Sequence, residues 1–195
     1  MENRFHRNIH IPVEFKPFKI KGTDSAIEDR MIERTINLID LAQSNPEFIT
    51  WLTSLNLKVS KGRYFESLPG AKYDLHVDDY RPAVKNLIKI NLIFSSYGSE
   101  MVWYELLPEH AAVPCINALG EYMPKYPETH VTEVYRHMAD THCLIDGRHI
   151  HTLLNSDNQG QNRICYSLFL IYNDITDKKL DWDSAIEILS PYIRN

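Results

Sequence analysis

Apolar and polar positions follow two regimes along this chain. Over residues 10–20 the apolar side chains alternate loosely (Ile11, Val13, Phe15, Phe18, Ile20), which predicts a strand, confined to a sheet edge by Pro17. Ser25 with Glu28 has capping-box spacing, and Ile27, Met31, Ile36, Leu38, Ile39 and Leu41 recur at helical spacing, so a helix is expected there, ended by Asn45-Pro46. A shorter helix follows through Phe48, Trp51 and Leu52. From Leu57 onward short β-prone runs alternate with turn signals: 57–65, the Pro69-Gly70 turn, 71–77, 87–95, the Gly98 turn and 101–106. Residues 113–119 read as a short helix or an ordered loop. Strands resume over 131–138, 143–154 and 164–172, and Ser184 with Glu187 predicts a closing helix through Ile186, Leu189 and Ile193.

Helices near one end followed by many short strands predict an α+β, mainly β chain: an antiparallel sandwich or jelly roll backed by helices. Alternating βα units are missing, which counts against a Rossmann-like sheet. No repeat, low-complexity tract or long linker interrupts the pattern, so residues 1–195 are expected to form one domain.

Composition narrows the partners. The net charge is −5 and the basic residues are scattered, which argues against nucleic acid, since phosphate binding needs a concentrated basic face. No apolar run approaches the roughly 18 residues of a membrane span, and Met1-Glu2-Asn3-Arg4 leads into no signal-like stretch, so a cytoplasmic protein is expected. Cys115, Cys143 and Cys165 are an odd, widely spaced set that suggests reduced thiols rather than a zinc ribbon or a disulfide framework.

The candidate chemistry lies in Tyr73-Asp74-Leu75-His76-Val77-Asp78 and, much later, in His149-Ile150-His151 and Arg163. On a strand, His76 and Asp78 project from one face and can hold one metal ion together; Asp79 would point the other way. A second histidine from a distant strand completes a two-histidine, one-carboxylate set with open positions, as a non-haem Fe(II) oxygenase requires. His149 and His151 share a face, and either could reach the metal. The plainer account of His76 and Asp78 is a solvated strand face with a cross-strand ion pair. Arg163 opens an apolar run in which Arg163, Cys165, Ser167 and Phe169 share a face. A buried guanidinium needs an anion, either a structural carboxylate or a small-molecule carboxylate gripped by the fork.

The order His76-Val77-Asp78, His151, then Arg163 twelve residues on at the head of an apolar strand resembles the Fe(II)/2-oxoglutarate-dependent dioxygenases over about residues 57–172. The resemblance implies a double-stranded β-helix (a cupin-like jelly roll) supported by flanking helices. It implies that His76, Asp78 and His151 ligate Fe(II) and that Arg163 anchors the far carboxylate of the cosubstrate 2-oxoglutarate. His151-Thr152-Leu153-Leu154-Asn155 is similar to the family's distal-histidine segment, which favours His151 over His149, and Ser95-Ser96-Tyr97-Gly98-Ser99 to its hairpin. Many members carry a serine two residues after the arginine; here that position is Cys165, with Ser167 next along. Tyr64, Tyr73, Asn91 and Tyr104 are further candidates for cosubstrate hydrogen bonds. The implied activity uses O2 to hydroxylate a small molecule or an amino-acid side chain, releasing succinate and CO2. Members that halogenate lack the carboxylate, so Asp78 favours hydroxylation. The rivals are a metal-dependent hydrolase and a non-catalytic jelly-roll binding module. Segments 107–128 and 155–162 are expected to flank the metal as loops.

Overall fold

The computed structural model describes residues 4–20, 25–28, 30–78, 87–94, 98–116, 122–156, 160–174 and 179–194. The strands are β1 (His6–Ile9), β2 (Ser25–Glu28), β3 (Met31–Thr35), β4 (Leu57–Ser67), β5 (Ala71–Lys72), β6 (Ile88–Phe94), β7 (Ser99–Leu106), β8 (Val131–Met138), β9 (Cys143–Asp146), β10 (Ile150–Asn155), β11 (Arg163–Tyr172) and β12 (Ile193–Arg194). The helices are α1 (Leu38–Ser44), α2 (Pro46–Ser54) and α3 (Trp182–Leu189).

The pairing defines the fold. From β4 to β11 the first strand pairs with the last, β5 with β10, β6 with β9 and β7 with β8, all antiparallel. A long hairpin rolled up in this way gives two facing sheets, ordered β12-β1-β9-β6-β11-β4-β3-β2 and β5-β10-β7-β8. That is a jelly roll, or double-stranded β-helix, with α1, α2 and α3 beside it.

The larger sheet is covered on both faces. β6 reads Ile-Lys-Ile-Asn-Leu-Ile-Phe: Ile88, Ile90 and Leu92 pack outward with Leu168, Leu170 and the helical Phe48, Leu52, Trp182 and Leu189, while Ile93 turns inward to Trp103, Met101 and Ile145. Each such side chain contributes about 1.5–3 kcal/mol on burial. This outer layer is what fixes the inner face, where the odd-numbered residues of β6 and β11 meet the smaller sheet.

Several sequence expectations change. Residues 10–20 form no strand; the only strand here is β1, just before them. Pro12 and Pro17 remove ladder donors, and the segment is tied down by Asn45, which accepts from Lys16 N at 2.7 Å, and by the Tyr166 hydroxyl, which accepts from Phe18 N and donates to Phe18 O. The helix expected from Ser25 is instead the β2–β3 hairpin, and Arg30 takes a left-handed turn conformation at φ 65°. β3 pairs with β4, so sheet contacts override the helical spacing. The helix starts only at Leu38, where Asn37 accepts from Ile39 N and Asp40 N. Asp181, not Ser184, caps α3 by accepting from Ser184 N, and Ile193 belongs to β12.

The expected strand over 143–154 is two strands in opposite sheets, split at Gly147. Residues 71–77 give only β5 and, at His76, isolated bridges to Lys125 and to His151. In 113–119 the described part is no helix: Val113 bridges Lys125 and Ile116 bridges Tyr122. Residues 117–119, Asp79 and Ser95 to Tyr97 lie outside the described residues, as does part of 155–162. The three cysteines are free thiols.

Candidate metal centre

His76 and His151 face each other across the smaller sheet as a hydrogen-bonded pair: His76 N donates to His151 O at 3.1 Å and His151 N to His76 O at 2.9 Å. This register puts both imidazoles on the interior side, ring centroids 4.5 Å apart. Asp78 follows two residues on and is fixed by its backbone N–H donating to Gly147 O at 3.0 Å. One carboxylate oxygen lies 3.8 Å from His76 Nε2 and the other 3.8 Å from His151 Nε2. One ligand atom from each residue falls within 4.8 Å of the others, so the three could hold a metal ion.

Each ring is oriented for that task. His76 Nδ1 lies 2.8 Å from Asp74 O and His151 Nδ1 2.8 Å from His149 O. A carbonyl only accepts, so both Nδ1 atoms carry the proton and both Nε2 atoms present lone pairs to the centre. Burial lowers the pKa of His76, and burial followed by the neighbouring His76 lowers that of His151 to about 3, so both are neutral near pH 7. For Asp78, burial pushes upward, but Lys89 above all, with the histidines, outweighs it and holds the carboxyl at about 2. The donor set is therefore in its metal-binding protonation state.

His149 is excluded. It precedes β10, its side chain is partly exposed, its Nε2 lies 3.7 Å from Asp146 and its ring meets Phe5 edge-on. The strand alternation that would place His149 beside His151 has not begun at that residue.

Arg163 lines the same cavity as His76, Asp78 and His151, together with Asn91, Ser167, Met101 and Leu153. It is 3% exposed, and its Nε–H donates to Ala139 O at 3.4 Å. Among the described residues no carboxylate lies within ion-pair distance of it. Asn91 Oδ1 and Ser167 Oγ are buried with no hydrogen-bond partner among the described residues. The shared face expected for Arg163, Cys165, Ser167 and Phe169 is present, since the first three line this cavity and Phe169 the adjoining hollow. Of the other candidates, Tyr73 and Asn91 line the cavity. Tyr64 packs on the outer side against Tyr166, and Tyr104 joins a separate cluster with Leu75 and Val131. Asn155 is a fastener: it donates to Ser67 O and Leu68 O and accepts from Ser99 Oγ.

Sequence reasoning missed Lys89, whose ammonium donates to Asp78 Oδ2 and is 5% exposed. Its signal was legible: a lone lysine two residues before Asn91 inside an otherwise apolar strand. It missed Gly147 as well. A Cβ built there would stand 2.2 Å from Asp78 Oδ2, so the corner between β9 and β10 runs directly against the carboxylate.

Fold and side chains together define a double-stranded β-helix with a two-histidine, one-carboxylate group between its sheets. No family model and no curated protein matches the sequence. Among solved structures, the chain is similar to a Pseudomonas putida prolyl-4-hydroxylase (12% identity, 76% of this chain and 78% of that one, TM-score 0.38). It is also similar to an oxalate oxidase in complex with glycolate (9%, 88% and 70%, 0.36) and to a cupin 2 domain-containing protein from Halorhodospira halophila (15%, 97% and 97%, 0.30). At these scores the likenesses carry no argument, and the architecture rests on the strand pairing above.

Proposed function

We propose that this protein is an Fe(II)- and 2-oxoglutarate-dependent dioxygenase that oxidises a small molecule or an amino-acid side chain, with release of succinate and CO2. The observation that carries the reading is a buried guanidinium, without a carboxylate among the described residues, in one cavity with a convergent His-Asp-His set. An unpaired buried cation is costly, and a small diacid reaching from the metal to Arg163 would supply its anion.

Bound Fe(II) would supply the oxidising chemistry, with O2 and the cosubstrate. The chain's own part is orientation. His76 and His151 present fixed Nε2 lone pairs, and Asp78 brings a carboxylate already ionised. Arg163 would pair bidentately with the far carboxylate of 2-oxoglutarate. Asn91 and Ser167 offer hydrogen-bonding atoms along the same wall, and Ser167 stands in for the serine that Cys165 replaces. Phe65, Met101 and Leu153 keep the cavity dry, which strengthens each polar contact.

The test is an anaerobic calorimetric titration of Fe(II)-loaded protein with 2-oxoglutarate, then a succinate-release screen in air over amino acids and peptides. Binding is expected to need the metal, and Arg163→Ala is expected to weaken it by at least about 30-fold, the lower end for losing a buried charge pair. Metal-independent binding, or an unchanged affinity in Arg163→Ala, would return Arg163 to a structural role and remove the proposal.

A further inference from the structure

β6 carries a single charged residue, Lys89, and carries it on the inner face. The side chain lies opposite Phe169 of β11 and Ile145 of β9, is 5% exposed, and has its ammonium 5.6 Å from the Phe169 ring centre. Among the described residues its ion-pair partner is Asp78 alone, through Oδ2. A cation and a carboxylate withdrawn from water together add little to stability that two apolar side chains would not supply. Stability alone therefore does not account for a lysine at this place.

The two oxygens of Asp78 are not equivalent. Oδ2 accepts from the Lys89 ammonium and also faces the backbone corner at Gly147, where a built Cβ would stand 2.2 Å away. Oδ1 accepts no hydrogen bond among the described residues and lies 3.8 Å from His76 Nε2. Oδ1 is thus the oxygen left to ligate, while Lys89 and Gly147 enclose the other. Charge points the same way. His76 and His151 are neutral, so the single negative charge of Asp78 is matched by Lys89, and the four side chains carry no net charge between them. A cation bonded to a ligand's second oxygen draws electron density from the first and repels the metal ion. A trivalent ion feels that repulsion more than a divalent one.

We propose that Lys89 is a specificity-determining residue of the metal centre: it keeps Asp78 a single-oxygen ligand through Oδ1, and its positive charge makes the centre prefer a divalent to a trivalent ion, so that iron is held as Fe(II). The claim rests on the metal-centre part of the proposed function and not on 2-oxoglutarate. A neutral side chain at residue 89 removes the repulsion and frees Oδ2 to join the coordination, and both changes favour Fe(III).

The test is an anaerobic redox titration of iron-loaded protein followed by electron paramagnetic resonance, with Mn(II) calorimetry to establish loading. The midpoint compares two metal-loaded forms, so changes in the stability of the metal-free chain cancel. In Lys89→Met and Lys89→Gln the midpoint is expected to fall by at least about 59 mV, a ten-fold gain in preference for Fe(III) over Fe(II). Lys89→Arg keeps the charge, and Lys72→Met removes one from the exposed Lys72–Glu128 pair; each should shift the preference less than three-fold. A midpoint unmoved or raised in both neutral variants overturns the proposal, as does an equal fall in Lys72→Met. Loss of Mn(II) binding in both neutral variants also overturns it, because Lys89 would then shape the site rather than set its charge. The expected fall in a protein that fails to bind 2-oxoglutarate sustains the role of Lys89 and sinks the oxygenase. Normal 2-oxoglutarate binding with an unmoved midpoint does the reverse.

Discussion

Gly147→Ala tests whether a backbone corner, rather than a side chain, sets the metal geometry. The new Cβ would lie 2.2 Å from Asp78 Oδ2 and 3.0 Å from both Asp78 Cβ and Cγ. Carbon contacts settle near about 3.5 Å, so roughly 1 Å must be found by swinging the carboxylate or by lifting the corner. The corner is held by Gly147 N donating to Leu87 O at 2.9 Å and by Asp78 N donating to Gly147 O, so the carboxylate is the softer partner. Metal–ligand distances tolerate about 0.2 Å. A displacement several times larger is expected to weaken Mn(II) binding by about 10–100-fold, as disruption of a ligand's support does. Overpacking should cost a further 1–3 kcal/mol or so of stability in EDTA. Calorimetric Mn(II) titration and urea unfolding read the two effects. Gly98→Ala is the control: at φ 75°, with nothing within 4 Å of an added Cβ, it strains the backbone far from the ligands. It should lose about 1–2 kcal/mol and keep its metal affinity. Gly147→Ala binding Mn(II) within two-fold of wild type would refute the reasoning.

Three other outcomes follow from the same geometry. Asp78→Ala removes a ligand and strands Lys89, so it should abolish measurable Mn(II) binding and cost about 3–5 kcal/mol in urea unfolding; Asp78→Ala with Lys89→Met should regain stability but not metal, and equal stability of the two would discount the ion pair. His6 is 4% exposed, and burial, then His137 and Arg7, lower its pKa to about 3. Below pH 6.5 the unfolded chain takes up a proton that the native state refuses, so stability falls with pH until about 3, by about 2 kcal/mol at pH 5; in EDTA, His6→Gln should lose that much less than wild type between pH 7 and 5, and parallel losses would contradict the assignment. Asn155→Ala breaks three hydrogen bonds, two of them buried, and should cost about 3 kcal/mol, a Tm drop of roughly 6–12 °C by calorimetry, whereas a drop under 2 °C would show the fastener to be dispensable.

What the amino-acid order determined is whatever has a short period. Alternation marked most of β4, β6, β7, β8 and β11, and the two-residue step from His76 to Asp78 set both on one side. The even spacing of Arg163, Cys165, Ser167 and Phe169 gave an inward face, and Pro46 opened α2. Where local spacing and long-range pairing disagreed, pairing won. Residues 25–35 carry helical spacing yet form a hairpin because β4 offers β3 a free edge, a competition no local window contains. Only the tertiary structure groups His151, rather than His149, with His76 and Asp78, because the grouping turns on where β10 begins. It alone brought Lys89 and Gly147 to Asp78, and Lys61 and Arg63 to a second wall of the metal set. Those groups lie far apart along the chain, and their meeting is decided by which strands become neighbours when the hairpin rolls up.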